Sequence, residues 1–251
     1  MALIEEMKKQ GDFLFRYRGY LPIPLLLAGI AVHVYMHLKN PDHLPENYYF
    51  FICFAVGFLG LVIRSITIGY TPKNTSGRNT KQQVADVVNT TAMYSIVRHP
   101  LYLGNYFMWL GLALITYNLW FIIIFSLIFW VYYERIMYAE EAYLRSKFGE
   151  PYLTWAEKVP AFMPAFAQWK SSEAFFSFKN VLKRELTGLL KLVGLVFLFE
   201  YTHELMLNGY QYTQLSSIGI FWFFAFIGTI ILYLIIRAIR KNTKWLDVEG
   251  R

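Results

Sequence analysis

Long apolar runs, separated by polar segments, constrain the fold of this 251-residue chain more than any other feature. Hydrophobic residues make up 56% of the sequence and aromatic residues 19%, whereas charged residues make up only 16%. Soluble domains do not have this balance, and about 20 apolar residues in a helix cross the hydrocarbon core of a bilayer. We therefore predict an all-α integral membrane protein with about six transmembrane helices and cytoplasmic amphipathic segments.

Six apolar runs are predicted to span the membrane, at about 20–38, 48–70, 101–116, 119–133, 192–207 and 216–236. Only Tyr117 and Asn118 separate the third run from the fourth, so these two are expected to form an antiparallel helical hairpin. The first run is expected to remain as a span, because acidic residues precede it and no signal peptide is evident. Residues 1–19 and 165–191 combine basic with aromatic side chains, which predicts helices that lie along the interface.

Two polar segments follow spans two and four. Beyond span four, apolar and charged residues alternate at helical spacing up to Gly149, which is expected to end the helix. The segment 71–97 is long for a connection between spans and includes a possible short helix at 82–88. Connections of this length are uncommon unless they bind something. Asn74 and Asn89 begin Asn-x-Ser/Thr triplets, but glycosylation means little if this segment is cytoplasmic.

Basic residues mark one side of the predicted bundle. The chain carries 24 Lys and Arg against 17 Asp and Glu, and the basic residues cluster at the ends of apolar runs. Six spans place the 71–98 loop, the 134–191 region and both termini on one side, while the other side receives little beyond Lys39. The positive-inside rule makes the basic side cytoplasmic. We expect contacts with membrane lipids, no nucleic-acid partner and no obligate protein partner.

Few residues suggest a metal site. The single cysteine, Cys53, lies inside an apolar run, so an internal disulfide and a cysteine-based metal set are excluded and no metal is predicted. His203 and Glu204, near the outer end of span five, could pair with each other or bind an ion. A polar pair at a helix end is more often an interfacial feature, so both interpretations stay open.

The stretch that begins span three carries the first candidate site. His99 precedes Pro100, so its backbone is driven out of the helical region while the proline is well placed to start a helix. The free amides and positive end of that helix, with Arg98, suit an anionic group such as a carboxylate or phosphate. Gly104 lets a ligand or second helix approach closely. An ordinary interfacial anchor of Arg, His and Tyr102 is the alternative interpretation.

A second polar cluster follows span four, where cationic residues alone would be expected. It contains Glu134, Arg135, Glu140 and Glu141. A solvated salt-bridge face is the alternative here, because Glu141 can pair with a basic residue four positions later. Arg135 and Glu140 are five residues apart and so are rotated by about 140° on a regular helix. A site shared by these two residues would need a kink or a ligand between them.

The order of four motifs resembles one family. The motifs are Arg-His-Pro-x-Tyr-x-Gly, Glu-Glu-x-x-Leu, Phe-Gly-x-x-Tyr and Val-Pro-x-Phe-x-Pro, at residues 98–104, 140–144, 148–152 and 159–164. This order and spacing is similar to that of the isoprenylcysteine carboxyl methyltransferases and the related membrane phospholipid methyltransferases. The resemblance covers 98–164 and leaves spans five and six without a counterpart.

The resemblance implies a membrane enzyme that holds S-adenosylmethionine in a cytoplasmic pocket and takes a lipophilic acceptor from the bilayer. The predicted cofactor-binding residues are Arg98, His99, Tyr102, Gly104, Glu140 and Glu141. The predicted catalytic residues are Arg135, which would orient a carboxylate acceptor, and Glu140; for an amine acceptor, Glu140 or Glu141 could accept the proton. The acceptor is left open among a prenylcysteine carboxylate, a phospholipid amine and another lipid head group.

The chain divides into three parts under this interpretation. Residues 1–97 hold the N-terminal spans and the polar loop, 98–164 the methyltransferase core with its cofactor pocket, and 165–251 an interfacial helix and two C-terminal spans. Two other classes of protein are open. One is an NADPH-dependent membrane reductase of the sterol-reductase type, although the chain is short for one. The other is a non-catalytic membrane scaffold or transporter subunit, although there is no visible inverted repeat.

Overall fold

The computed structural model describes residues 2–20, 22–40, 44–46, 48–72, 83–207 and 215–248. Within these ranges the regular structure is helical, with no strand, which confirms the all-α prediction. The α-helices are α1 Leu3–Tyr17, α2 Pro22–Lys39, α3 Tyr49–Tyr70, α4 Met93–Ile96, α5 Pro100–Ile115, α6 Leu119–Phe148, α7 Glu150–Ala156, α8 Phe178–Leu207 and α9 Ser217–Asn242. A 3₁₀ turn, Phe166–Gln168, lies between α7 and α8.

Four of the described helices are long and apolar enough to cross a membrane: α2, α3, α6 and α9. Helix α5 is apolar but has only 16 residues, so the predicted count of six spans is not confirmed. Large apolar side chains face outward on these helices; Trp120 on α6 is 73% exposed and Phe224 on α9 is 65% exposed. Such surfaces are stable against lipid and not against water, so the fold indicates an integral membrane protein.

Helices α3 and α5 approach each other closely through glycines. A Cβ atom at Gly111 of α5 would lie 2.5 Å from the Cys53 carbonyl oxygen and 2.6 Å from the Gly57 amide nitrogen of α3. Nearer the start of α5, a Cβ at Gly104 would lie 2.5 Å from Cγ of Arg64. Small residues permit this backbone contact between membrane helices. The contact places the side chain of Arg64 beside the first turn of α5.

Helices α5 and α6 are joined by three residues and pack through polar and aromatic side chains. Tyr106 Oη lies 3.1 Å from Ser126 Oγ, and Asn105 Nδ2 donates to Tyr133 Oη at 3.1 Å. Phe129 stacks on Tyr133 with ring centroids 4.2 Å apart. These contacts bring the start of α5 next to the region of α6 where its apolar sequence ends.

The polar end of α6 is followed by α7 and packs against α1. α6 continues past its apolar part to Phe148, and Gly149 ends it with a φ of 60°, as predicted. Helix α1 packs on α6 so closely that a Cβ at Gly11 would overlap the carbonyl oxygen of Arg135. Phe15 of α1 is 8% exposed. The predicted N-terminal helix is therefore present and covers the side of α6 that carries Arg135 and Ala139.

The region 165–191 differs from its prediction. No separate interfacial helix forms there; after the 3₁₀ turn the chain is irregular up to Ser177, and α8 then runs unbroken from Phe178 to Leu207. The first half of α8 is polar but partly buried against α3, where Asn180 Nδ2 donates to the Ile68 carbonyl oxygen at 2.9 Å. The polar side chains of this half of α8 therefore find hydrogen-bond partners on another helix, whereas the composition predicted that water at the membrane interface would solvate them.

The polar connection after α3 is only partly described. Residues 83–88 are not helical, so this part of the possible helix at 82–88 is wrong. Residues 73–82 lie outside the described residues, and with them the Asn74 triplet. The described residues up to Asn89 run beside the start of α5 and reach the cavity presented below.

Another group of polar side chains lies where the end of α2, the end of α8 and the start of α9 meet. His37 Nε2 of α2 lies 2.7 Å from His203 Nδ1 of α8, and His37 Nδ1 donates to the His33 carbonyl oxygen at 2.8 Å. Glu204 accepts from the backbone N–H of Ser216 at 3.0 Å, which ties α8 to the start of α9. His203 and Glu204 therefore bind neighbouring helices. Among the described residues no group of three His, Cys, Asp or Glu side chains is arranged to hold a metal ion.

Candidate functional site

A polar cavity lies where α1, α3, α5, α6, α7 and α8 meet. Its wall also includes the described part of the connection after α3. The charged and polar side chains that line it are Arg18, Arg64, Gln83, Asn89, Tyr94, Arg98, His99, Tyr102, Asn105, Glu140, Tyr143, Tyr152, Arg184 and Glu185. Membrane proteins seldom collect so many ionisable groups at one place without a functional reason.

His99 is held from both sides at the start of α5. Its backbone N–H donates to the Ala161 carbonyl oxygen at 3.2 Å, and the preceding N–H of Arg98 donates to the Pro160 carbonyl oxygen at 2.9 Å. The imidazole Nε2 lies 2.9 Å from Glu141 Oε1 and Nδ1 lies 3.6 Å from Glu140 Oε2. Three of the sequence motifs therefore meet at His99.

The surroundings of His99 favour its charged form. Burial by itself would lower the pKa of the imidazole, because charge is poorly solvated in the interior. The hydrogen bonds and negative charges of Glu140 and Glu141 outweigh burial and raise the pKa of His99 above its usual 6.5. The charged imidazole of His99 therefore lies between the carboxylates of Glu140 and Glu141 at the N-terminus of α5.

Glu141 supports the site from behind. Its Oε1 is shared between His99 and Arg98, whose Nε lies 3.2 Å away. This Nε is not aligned for a hydrogen bond, so the contact with Arg98 is an ion pair. Arg98 Nη1 donates to the Ala156 carbonyl oxygen of α7 at 3.0 Å. The side chain of Glu140, by contrast, lines the cavity itself.

Aromatic rings form a continuous wall next to His99. Tyr102 stacks on the His99 ring with centroids 5.7 Å apart, and Tyr133 lies against Tyr102 at 4.9 Å. Tyr152 of α7 also lines the cavity, and its hydroxyl is buried and has no hydrogen-bond partner among the described residues. An unsatisfied buried donor on a cavity wall is suited to a polar ligand.

An ion-pair network forms the part of the wall nearest α3 and α8. Arg64 donates to both oxygens of Glu185, from Nε and from Nη2, each at 2.7 Å. Arg64 Nη1 donates to Asn105 Oδ1 at 2.6 Å. A paired guanidinium with two parallel hydrogen bonds has a fixed orientation. Arg64 thus faces the bundle interior, one of the two orientations open to a charged residue in a span.

The structure brings together most of the residues predicted for the site. Arg98, His99, Tyr102 and Glu140 line the cavity, and Glu141 holds two of them. Gly104 faces Arg64 and the Gly60 carbonyl oxygen of α3, so its small size serves helix packing.

Arg135 is placed elsewhere. Its Nη1 donates to Glu134 at 2.9 Å and its Nε to Gln10 of α1 at 3.3 Å, and the guanidinium does not line the cavity. This placement follows the angular offset between Arg135 and Glu140 on a regular helix. The catalytic role of Arg135 stays a prediction.

Several cavity residues were not predicted from the sequence. Arg18 directly follows α1, and its guanidinium lies 3.9 Å over the Phe15 ring of that helix. Tyr152 belongs to a motif but had no assigned role, and Glu185 lay in a segment interpreted as interfacial. The sequence signal for Glu185 was an acidic residue among basic ones, which is unusual for an interfacial helix on a basic membrane side.

The fold and the cavity define a helical membrane protein with a cavity lined by charged and polar side chains. Residues 51–151 match the phospholipid methyltransferase family, PEMT. The resemblance predicted from the motifs is confirmed over this segment, which includes α3 to α6 and the start of α7. Helices α8 and α9 lie beyond it. No solved structure matches the chain.

Several curated proteins are similar to parts of this chain. A protein-S-isoprenylcysteine O-methyltransferase of Schizosaccharomyces pombe is 34% identical over 114 residues, 44% of this chain and 48% of the relative. Protein-S-isoprenylcysteine O-methyltransferase B of Arabidopsis thaliana is 37% identical over 76 residues, 30% of this chain and 38% of the relative. The nickel-cobalt-cadmium resistance protein NccN of Alcaligenes xylosoxydans xylosoxydans is 27% identical over 141 residues, 56% of this chain and 63% of the relative. Each match spans less than two thirds of the relative.

Proposed function

We propose that the protein is an integral membrane methyltransferase that transfers a methyl group from S-adenosylmethionine to a lipophilic acceptor. The observation that carries this proposal is the position of His99, which three motifs hold between Glu140 and Glu141 at the wall of a polar cavity. Two of these motifs, with His99 and the glutamates, lie inside the segment that matches the methyltransferase family.

The residues present suit the groups that S-adenosylmethionine carries. Arg98 and the N-terminal end of α5 complement a carboxylate, and Glu140 complements an ammonium or sulfonium group. Aromatic faces such as that of Tyr102 attract a cation, and the unpaired hydroxyl of Tyr152 can donate to a ligand oxygen or nitrogen. The donor set therefore fits this cofactor.

When bound, S-adenosylmethionine would supply an electrophilic methyl group, and Arg98, Tyr102 and Glu140 would hold the cofactor. The work of the chain is to hold the acceptor at near-attack distance and to keep water away. His99 and Glu140 are fixed by their mutual contacts, so they can orient a ligand without moving. A carboxylate acceptor needs no proton transfer, whereas an amine acceptor needs a base, for which Glu140 is placed.

The charge of the cavity favours a carboxylate acceptor. Arg18, Arg64, Arg98 and Arg184 line the cavity against the two carboxylates of Glu140 and Glu185. A cationic cofactor adds to this positive excess, so an anionic acceptor would balance it. Two of the relatives are named protein-S-isoprenylcysteine O-methyltransferases. Methylation of an oxygen is what a carboxylate acceptor undergoes, so these names support the same acceptor. A phospholipid amine is the second candidate, supported by the name of the family.

We further propose that the cavity opens to the cytoplasm, with both termini on that side. This orientation requires α5 and the second half of α8 to cross the membrane together with α2, α3, α6 and α9. It is based on the basic residues at the ends of the helices. Cysteine at exposed positions tests it, since the native Cys53 is buried. Val87→Cys and Lys244→Cys should react with an impermeant thiol reagent from the cytoplasmic side, and Lys39→Cys only from the opposite side.

Calorimetry on the purified protein tests cofactor binding. Wild-type protein should bind S-adenosylmethionine, and His99→Ala and Glu140→Ala should weaken binding by about tenfold or more, in line with the loss of a charged hydrogen bond. Glu157→Ala, at an exposed position on the same side, is the matched control. Absence of binding, or identical behaviour of all three variants, would contradict the proposal. Thermal stabilisation by NADPH alone would instead favour the reductase.

Incubation with methyl-labelled S-adenosylmethionine and either a prenylated cysteine or phosphatidylethanolamine tests the acceptor. Label released as volatile methanol by base indicates an ester, and base-stable label indicates an N-methyl product. We expect the ester.

A further inference from the structure

We propose that Arg64 binds the carboxylate of the acceptor and that Glu185 of α8 is the positioning residue that orients Arg64 for this contact. The inference rests on the proposed function and adds a residue to the site from beyond the family segment, which ends at residue 151. It gives the C-terminal helices a role in the reaction: α8 completes the cavity.

The first step is the donor inventory of Arg64. A guanidinium carries five N–H groups. Glu185 takes the Nε–H and one Nη2–H, and Asn105 takes one Nη1–H, so two N–H groups have no acceptor among the described residues. These two belong to the outer nitrogens and can form a fork for a carboxylate. Arg64 lines the cavity, and its side chain is 20% exposed.

The second step is that Glu185 leaves Arg64 little freedom. The side chain of Glu185 is 4% exposed, and its two oxygens accept hydrogen bonds from Nε and Nη2 of Arg64. The aliphatic part of Arg64 is confined by Gly104, where an added Cβ would lie 2.5 Å from Cγ. The direction of the free donors is therefore set by α8 and α5 together, as expected of a preorganised binding group.

The third step connects this pair to the cofactor end of the cavity. Asn105, which accepts from Arg64, donates to Tyr133 at 3.1 Å, and Tyr133 lies against Tyr102. Tyr102 in turn stacks on His99. Side chains of α5 and α6 thus connect Arg64 of α3 with His99, and both residues line the same cavity. An acceptor whose carboxylate binds Arg64 would share that cavity with the cofactor.

A structural role alone explains this pair less well. Taking two charges out of water costs more than most ion pairs return, and apolar side chains of similar size are often as stable or more stable. A pair kept only for packing would therefore be replaceable by apolar residues. A pair that binds a ligand would not be replaceable without loss of acceptor affinity.

The decisive variant is the charge-free double variant Arg64→Met with Glu185→Leu, compared with Glu185→Gln, in full-length protein in lipid nanodiscs. The matched control is Lys183→Met with Asp247→Asn, which removes an ion pair of 2.8 Å on the exposed side of α8. Unfolding temperature, S-adenosylmethionine binding, and KM and kcat for a prenylated cysteine carboxylate are measured for each protein.

We expect the charge-free variant to unfold at or above the wild-type temperature and to bind S-adenosylmethionine within threefold of wild type. Its KM for the carboxylate acceptor should rise at least tenfold, with kcat within threefold. Glu185→Gln should unfold at a lower temperature, because it leaves Arg64 without its counter-charge, and Arg64→Lys should recover only part of the KM. The control pair should change none of these values by more than twofold.

A wild-type KM in the charge-free variant would overturn the inference and leave the proposed function intact. Weakened S-adenosylmethionine binding with an unchanged acceptor KM would also overturn it, because Arg64 would then bind the carboxylate of the cofactor. A wild-type protein that neither binds S-adenosylmethionine nor methylates an acceptor would overturn the proposed function, and this inference with it.

Discussion

Glu141 Oε1 accepts a hydrogen bond from His99 Nε2 at 2.9 Å, across 42 residues of sequence. The same oxygen lies 3.2 Å from Arg98 Nε. One carboxylate on α6 therefore fixes the two residues that precede α5. Glu140 lies beside Nδ1 of the same imidazole and lines the cavity, so the two adjacent glutamates differ in position: Glu140 forms part of the cavity wall, and Glu141 holds Arg98 and His99.

We expect Glu141→Ala to destabilise the protein and to weaken cofactor binding together. Loss of a hydrogen bond to a charged partner costs about 1.5–3 kcal/mol of unfolding free energy. Freed from Glu141, His99 and Arg98 lose their fixed orientation, so the affinity for S-adenosylmethionine should fall about tenfold. Reversible unfolding in mild detergent and calorimetry measure the two effects. Glu150→Ala, at an exposed position on α7, should change neither; equal effects of both substitutions would contradict the assignment.

The raised pKa of His99 predicts that stability depends on pH. The pKa lies above the usual 6.5 in the folded protein, so the folded state binds the proton more tightly than the unfolded state. The resulting stabilisation is fully present below a pH of about 6.5 and is lost as the pH rises through the folded pKa. The gap in unfolding free energy between wild type and His99→Gln should therefore narrow between pH 6 and 9. A gap that widens with pH would show that the imidazole is neutral in the fold.

How far the sequence predicts this structure depends on how many residues separate two interacting side chains along the chain. The helices α2, α3 and α5 begin and end within two residues of the predicted runs, because length, hydropathy and the proline at position 100 are local properties. Whether Arg64 would face the lipid edge or the interior could not be decided locally, since its partner Glu185 lies 121 residues away. The same holds for Asn180, a polar residue buried by its bond to α3.

The candidate site shows the same division. Motifs at fixed spacing identified His99, Tyr102 and Glu140, which share the cavity. Arg135 was included because of a resemblance and not because of its angle on the helix, and its guanidinium faces Gln10 instead. Arg18 could not be found, because nothing in the first 20 residues indicates that α1 folds back onto α6. Contacts between distant segments decide the membership of the site.

The packing of α1 predicts a strong effect of Gly11→Ala. An added Cβ would overlap the Arg135 carbonyl oxygen and lie 2.7 Å from the Ala139 Cβ, so α1 must move away from α6. Overpacking of this kind costs about 1–3 kcal/mol, although alanine by itself would favour the helix. Phe15 and Arg18 would leave the cavity wall with α1, so we expect methylation activity to fall at least fivefold in a rate assay.

Gly19→Ala is the matched control for this test. A Cβ at Gly19 has no neighbour within 4 Å. The activity of Gly19→Ala should therefore stay within twofold of wild type and its unfolding temperature within about 1 °C, below the shift of about 2–4 °C that 1 kcal/mol produces. Comparable losses in both variants would mean that α1 acts through its flexibility and not through contact with α6.

The contact between Glu204 and Ser216 predicts a coupled loss of stability at the other end of the bundle. Glu204 accepts from the Ser216 backbone N–H and hydroxyl, and Ser216 Oγ accepts from the Gly219 N–H at 3.1 Å at the start of α9. Glu204→Ala should cost about 1–3 kcal/mol and Ser216→Ala about 1 kcal/mol. Because both substitutions remove the contact between the Glu204 carboxylate and the Ser216 hydroxyl, the double variant should lose at least about 0.5 kcal/mol less than the sum. Reversible unfolding measures this cycle, with exposed Glu46→Ala as the control. Additive losses would show that the hydroxyl contact does not contribute to stability.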